Sequence, residues 1–329
     1  MKYGDIKNLH IELTKNCSLA CPSCSRNAPH VFQSFQEITS KRPYGHSLNS
    51  EIIFRLISSL PIRFILLCGI QGEPTLHPDF LEIIKFLKSR EIAIEIETNG
   101  NNHPETWWRD LGSILTKSDT VVFALDGIDQ ETYSRYRKNG NFNTVLNNHA
   151  SLKAGSCETV WKFITFGYNV CHLSKAIKLG QHNGFTRFVA HEPWDLFVSE
   201  GSDRRKKRTD EFSLDNNLES RLVKALGKRK KFTIECEALD TQGAFIDAFG
   251  YVSPCCLAGE YVSEPYSFSK DLDKINIYHY DIMTILNNHY EDFWDRLVKH
   301  KIPVCNENCE LICKQAKRLH EEKSSIRNY

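Results

Sequence analysis

Between Leu9 and Ala190 the sequence repeats one pattern six times: a short apolar run that stops at a polar turn, then a stretch with apolar residues at helical spacing. The runs are Leu9–Leu13, Arg63–Cys68, Ile92–Thr98, Thr120–Leu125, Val160–Phe166 and Phe185–Ala190. Helices are predicted over Ser50–Leu60, Asp79–Ser89, Glu105–Thr116, Gln130–Tyr136, Phe142–Ala154 and His172–Asn183, where apolar residues such as Ile53, Leu56, Ile57 and Leu60 recur on one face. Strand–helix alternation of this kind builds βαβ units with right-handed crossovers, hence an α/β fold with a parallel sheet. The sheet is expected to be either open and doubly wound or an incomplete barrel. In both, ligands sit at the C-terminal ends of the strands, so chemistry should be sought in the turns that follow each run.

Those turns hold distinctive residues. After the first strand come Cys17, Cys21 and Cys24, spaced Cys-x3-Cys-x2-Cys. The second strand ends at Gly69-Ile70-Gln71-Gly72-Glu73-Pro74, the third at Thr98-Asn99-Gly100, the fourth at Asp126-Gly127. Three neighbouring thiolates suit three irons of a 4Fe–4S cube and leave the fourth iron without a protein ligand. The competing reading is a structural zinc site completed by His30. The chain has 12 cysteines and no signal-peptide core at Met1–Asp5, so metal or redox use is expected before a disulfide scaffold, with a cytoplasmic setting. No apolar run approaches membrane-spanning length, and a net charge of +1 argues against bulk capture of nucleic acid or membrane. Cys68, Cys157 and Cys171 are expected to be buried small hydrophobes. Strand alternation puts Glu12 on one face with His10 and Thr14. Glu12, Glu97 and Asp126 are candidates either for a polar interior facing a cofactor or for satisfied structural carboxylates, and the tryptophans are expected in the core or at its rim.

Past Ala190 the character changes. Ser202–Lys231 carries 11 basic and 5 acidic residues, including Arg204–Arg208. A solvated linker is the expected reading; a basic patch for a peptide, nucleotide or nucleic-acid substrate is the less favoured one. Ala244–Cys255 reads as a hairpin turning at Phe249-Gly250, Ile282–His300 as helical, and Cys305, Cys309 and Cys313 open a last cysteine-rich loop. This end is expected to form a separate small α+β module. The expected units are a core over 1–200, a linker over 201–231 and the module over 232–329. A four-thiolate zinc site competes with an iron–sulfur cluster there.

Taken in order, the Cys-x3-Cys-x2-Cys loop, Gly72-Glu73-Pro74, Thr98-Asn99-Gly100 and Leu125-Asp126-Gly127 resemble the motifs of the radical S-adenosylmethionine (radical SAM) enzymes over about Leu9–Ala190. The resemblance implies a partial (β/α)6 TIM-type barrel in which Cys17, Cys21 and Cys24 bind a 4Fe–4S cluster. It also implies that S-adenosylmethionine chelates the open iron and is cleaved to a 5′-deoxyadenosyl radical. It places Gly72, Glu73 and Pro74 at the methionine amino group, where a carboxylate suits an ammonium. Thr98, Asn99 and Gly100 fall near the ribose, and Asp126 near cofactor and substrate. Two positions depart from the family pattern: Gln71 replaces a usual glycine, and Ser23 stands where an aromatic residue often meets adenine. Cys236, Gly250 and Cys255 resemble the opening of the SPASM or Twitch auxiliary domain. That implies one auxiliary 4Fe–4S cluster held by Cys236, Cys255 and two of Cys305, Cys309 and Cys313, with Cys256 a spare residue, a ligand or a hydrogen-atom donor.

The function expected from this resemblance is hydrogen-atom abstraction from a ribosomally made peptide, fed by an electron donor such as flavodoxin or ferredoxin. Dehydrogenation of a sugar-like small molecule is the alternative within the class. A non-catalytic iron–sulfur or zinc protein that binds nucleic acid is the alternative outside it. Only about eight residues precede the first strand, which weakens the peptide reading without removing it, since a partner can supply leader recognition.

Overall fold

The computed structural model describes residues 6–22, 24, 46–153, 155–191, 242–256 and 272–288. Six parallel strands form as expected: β1 (Asn8–Ile11), β2 (Phe64–Leu67), β3 (Ala93–Thr98), β4 (Thr120–Ala124), β5 (Glu158–Ile164) and β6 (Arg187–His191). The helices between them are α1 (Ser50–Ser59), α2 (Phe80–Ser89), α3 (Glu105–Ile114), α4 (Gln130–Tyr136), α5 (Phe142–Leu152) and α6 (Leu173–His182). Their starts are chemically marked. The Asn49 side chain accepts from Glu51 and Ile52 N–H at α1, Asp129 and Thr132 form a reciprocal capping box at α4, and Asn141 accepts from Thr144 N–H at α5. Each cap satisfies backbone donors that the first helical turn leaves without partners.

Two further strands, β7 (Gly243–Ile246) and β8 (Val252–Ser253), complete a sheet of order β6-β5-β4-β3-β2-β1-β7-β8. The arrangement is the partial (β/α)6 barrel core expected from the sequence. The expected hairpin forms, and its first strand β7 lies parallel to β1 with Asn8 opposite Gly243 and Ile11 opposite Ile246. Without it β1 would expose a row of unpaired N–H and C=O groups. The hairpin turn is fixed by Asp247, whose Oδ1 accepts from Phe249 and Tyr251 N–H, and by Gly250 at φ +85°. The predicted C-terminal helix is present over 282–288. Cys236, Cys305, Cys309, Cys313, His30, Ser23 and the Arg204–Arg208 run lie outside the described residues.

Alternation along the strands separates two environments. Leu9, Ile11, Ile65, Leu67, Ile94, Ile96, Val121, Phe123, Trp161 and Phe163 pack with the helices in the main core. Trp108 and Trp161 are fully buried there, and Trp107 packs against the same cluster. The opposite face, toward the lumen, carries His10, Glu12, Glu97, Asp126 and Lys162, the set that β-strand alternation places away from the helices. Cys157 is buried as expected. Cys171 is not: it is exposed in the short turn Val170–His172 ahead of α6. Cys68 lies in the polar lumen and not among apolar side chains, because it directly follows β2 and faces Glu97. No helix among the described residues is long and apolar enough to cross a membrane.

Candidate functional site

The loop after β1 is clamped to the turn after β2. The Oε1 atom of Glu12 accepts from the N–H groups of Gln71 (2.8 Å) and Gly72 (3.1 Å), and its other oxygen pairs with the Lys15 ammonium. Glu73 N–H donates to the Asn16 carbonyl at 2.7 Å. Gly72 is required by this contact, since a Cβ there would sit 1.6 Å from the Thr14 carbonyl oxygen. Glu12 is 0 % exposed, so this candidate catalytic carboxylate is a brace in this arrangement.

Glu73 ties the same turn to the end of β3. One oxygen accepts from the hydroxyls of Thr98 (2.6 Å) and Thr75 (2.7 Å) and from Thr75 N–H, and the other accepts from Asn99 N–H at 2.7 Å. Burial raises its pKa, with these four donors opposing the shift. Thr98 in turn accepts from Gly100 N–H, and Gly100 takes φ +68° so that the chain can reverse against Phe123 and Val145.

Asp126 closes the far side. Its Oδ1 accepts from Ile164 N–H at 2.6 Å, and its Oδ2 from Arg137 Nε at 2.6 Å. Arg137, at the end of α4, was not singled out in the sequence. Its Nη1 lies 3.9 Å from the Cys21 sulfur, and Asn99 Nδ2 lies 3.7 Å from the Cys17 sulfur. Cys17, Cys21 and Cys24 gather in one small cluster with Leu19, Tyr136 and Phe166. Burial pushes the Cys21 thiol up, and the Arg137 guanidinium acts against that shift. Among the described residues no three His, Cys, Asp or Glu side chains converge to hold a single metal ion. The donor set nonetheless fits a cluster that takes each thiolate on a different iron: three sulfurs in an apolar envelope, met by a cationic and an amide N–H donor.

A family model described as the Radical SAM superfamily matches residues 11–178, half of the chain. The chain belongs to the radical SAM superfamily. It is 33% identical over 132 residues to a probable GTP 3′,8-cyclase of Thermococcus kodakarensis, covering 40% of this chain and 38% of that protein. It thus spans under two fifths of that relative's length. Its fold is similar to that of Streptococcus suis SuiB bound to the precursor peptide SuiA, with TM-score 0.59 and 12% identity over 88% of this chain and 66% of that one. It is similar also to anSMEcpe with bound AdoMet and Cp18Cys peptide, with TM-score 0.57 and 18% identity over 95% of each chain.

Within this radical SAM core the lumen below the cysteine loop is polar. Lys162 on β5 reaches Glu97 on β3 at 2.7 Å, and the Cys68 thiol donates to the same Glu97 oxygen at 3.3 Å. Burial by itself would raise the Glu97 pKa; the Lys162 ammonium more than reverses this and holds the carboxyl down to about 2. His10 lies beside them, its Nε2 2.8 Å from the Cys68 carbonyl, and burial lowers its pKa. Cys255 and Cys256 come just past Pro254 at the end of β8, two strands from β1.

Proposed function

We propose that the chain reductively cleaves S-adenosylmethionine and takes a hydrogen atom from a peptide substrate. The observation that carries this reading is the cysteine loop seated at the end of β1, with Arg137 and Asn99 turned onto two of its three sulfurs. Cys17, Cys21 and Cys24 would hold the 4Fe–4S cluster. With S-adenosylmethionine at its open iron, such a cluster supplies a 5′-deoxyadenosyl radical. Gly72, Glu73, Pro74, Thr98, Asn99, Gly100 and Asp126 would frame the cofactor. Glu73 contributes by holding the β2 and β3 turns together, since both its oxygens are engaged by internal donors. Arg137 keeps a positive charge beside the Cys21 sulfur and is itself fixed by Asp126.

Two likenesses support a peptide as substrate: SuiB was described with its precursor peptide and anSMEcpe with a peptide and AdoMet, and both folds run along most of this chain. The relatives named GTP cyclases match over too little of their length for a nucleotide substrate to be carried across. The C-terminal part is read as a SPASM- or Twitch-like unit over 232–329, following a core over 1–200 and a basic linker over 201–231. One auxiliary 4Fe–4S cluster would be held by Cys236, Cys255 and two of Cys305, Cys309 and Cys313. A flavodoxin or ferredoxin would deliver the electron.

Anaerobic reconstitution of the full chain, followed by dithionite and S-adenosylmethionine, tests the reading. 5′-Deoxyadenosine should form in the parent and vanish in Cys17→Ala; no product, or equal product from both, rejects it. About eight irons per chain would match two cubes, whereas about four irons with one zinc would assign zinc to the second site.

A further inference from the structure

Three acid–base pairs line the lumen face and the strand ends above it, and they are not alike. In Glu12–Lys15 and Asp126–Arg137 the carboxylate is 0 % exposed, and each of its oxygens is engaged. In Glu97–Lys162 the side chains keep 24% and 22% exposure. Both hydrogen bonds to the Glu97 carboxylate, from Lys162 and from Cys68, fall on Oε2. Among the described residues Oε1 accepts none, and the Lys162 ammonium, with three N–H donors, makes one hydrogen bond. Lys162 crosses the lumen to do so: its strand neighbour on β4 is Ala124, and Glu97 faces Val122 on the same strand. At this exposure Glu97 Oε1 and the remaining Lys162 N–H groups stay open to solvent or to a ligand.

We propose that Glu97 and Lys162 bind a secondary amide of the peptide substrate, with Lys162 Nζ donating to the amide carbonyl and Glu97 Oε1 accepting from the amide N–H. The assignment to a peptide rests on the function proposed above. The ion pair is neutral in itself; Glu95, on the same face of β3, acts on Lys162, and His191 acts on Glu97. Burial keeps the Cys68 thiol protonated and His10 in its neutral form, while their hydrogen bonds run to Glu97 and to the Cys68 carbonyl. The pair offers one donor beside one open acceptor, and a secondary amide carries one of each. The site lies on strand ends adjoining the cysteine loop: Cys68 and Glu12 each come one residue after the paired Leu67 and Ile11, and Glu12 braces that loop.

The double variant E97Q/K162M tests this without leaving an unpaired buried charge. Saturation-transfer NMR on the reconstituted full chain would use N-acetylated, C-amidated tripeptides as probes, against methyl glycosides with vicinal diols and against free α-amino acids. The blocked tripeptides should bind the parent, and the double variant should bind them about tenfold or more weakly. Its iron content on reconstitution should equal the parent's, so that weaker binding is read on a folded chain. Equal tripeptide binding by both proteins overturns the proposal, as does preferential binding of glycosides or free amino acids, or no tripeptide binding at all. A parent that binds tripeptides through this pair but makes no 5′-deoxyadenosine would instead reject the proposed reaction and leave the amide site standing.

Discussion

Glu73 separates two accounts of the cofactor site. Family resemblance gives its carboxylate the methionine ammonium, whereas the structure spends both oxygens on Thr75, Thr98 and Asn99. In Glu73→Gln the new NH2 must avoid Asn99 N–H, so it turns toward the two threonine hydroxyls, which can rotate to accept. Thr75 N–H, 3.3 Å from the carboxylate, then loses its acceptor. Hydrogen bonds to a charged group contribute about 1.5–3 kcal/mol and neutral ones about 0.5–1.5 kcal/mol, so losing the charge on three short bonds and losing the weak one costs about 2–4 kcal/mol. Glu73→Ala strands two buried backbone N–H groups, those of Thr75 and Asn99, at about 1–3 kcal/mol each, or about 2–6 kcal/mol together. Urea unfolding of the reconstituted chain at neutral pH measures both losses, and equilibrium binding of S-adenosylmethionine is followed in parallel. A brace predicts that the variants lose stability in the order Ala, then Gln. If Glu73→Gln unfolds like the parent while its cofactor affinity falls tenfold, the carboxylate is a direct ligand and the bracing account is refuted.

Other substitutions probe the same framework. His149 is fully buried, stacks on Phe185 at 3.6 Å and has its pKa held down to about 4 by burial, with Lys153 adding to the shift. Unfolded histidine takes up a proton near pH 6.5, so stability present above that pH is lost as pH falls toward 4, by about 3 kcal/mol. His149→Phe should flatten this part of the pH–stability curve, and an unchanged curve would place the acid sensitivity elsewhere. Gly72→Ala drives a methyl into the Thr14 carbonyl. It should cost more than about 3 kcal/mol or displace the cysteine loop, read as lost iron on reconstitution. Arg137→Met removes the guanidinium beside Cys21 and leaves Asp126 uncompensated. Both changes disfavour adding an electron, so the cluster's potential should fall by tens of millivolts in an EPR-monitored redox titration. An unmoved potential would reduce Arg137 to a packing role.

The six-strand core was legible because its code is local. Alternation within β3 puts Ile94 and Ile96 on the helix side, and the Asn and Asp caps sit one residue before their helices. The pairing of β7 with β1 was not legible, since it depends on which edge strand the returning chain meets, and a short hairpin looks the same appended or inserted. Arg137 was missed for a similar reason: α4 delivers it across to Cys21 from 116 residues away. Lys162 did leave a trace, as a lysine among Val160, Trp161, Phe163 and Ile164, which ordinary burial would exclude unless something charged stood opposite. Cys171 went wrong because a lone cysteine carries no periodic context to separate a core position from a turn.

Glu12, Glu73, Glu97 and Asp126 look alike in sequence, each an acidic residue where an apolar run ends. What distinguishes them is which distant groups arrive. Backbone N–H groups of the β2 turn reach Glu12, the β3 turn reaches Glu73, and β5 with Arg137 reaches Asp126. These three are enclosed by their partners, so removing their charge should be felt first as lost stability or a displaced loop. Glu97 receives a lysine and a thiol on one oxygen and stays open on the other, so its loss should be felt as lost recognition while the fold persists. A parallel sheet makes this division natural: neighbouring strand ends brace one another, and a side chain reaching across the lumen, as Lys162 does past β4, can meet its partner without sealing it. The carboxylate left unfinished by the fold is the one available to a substrate.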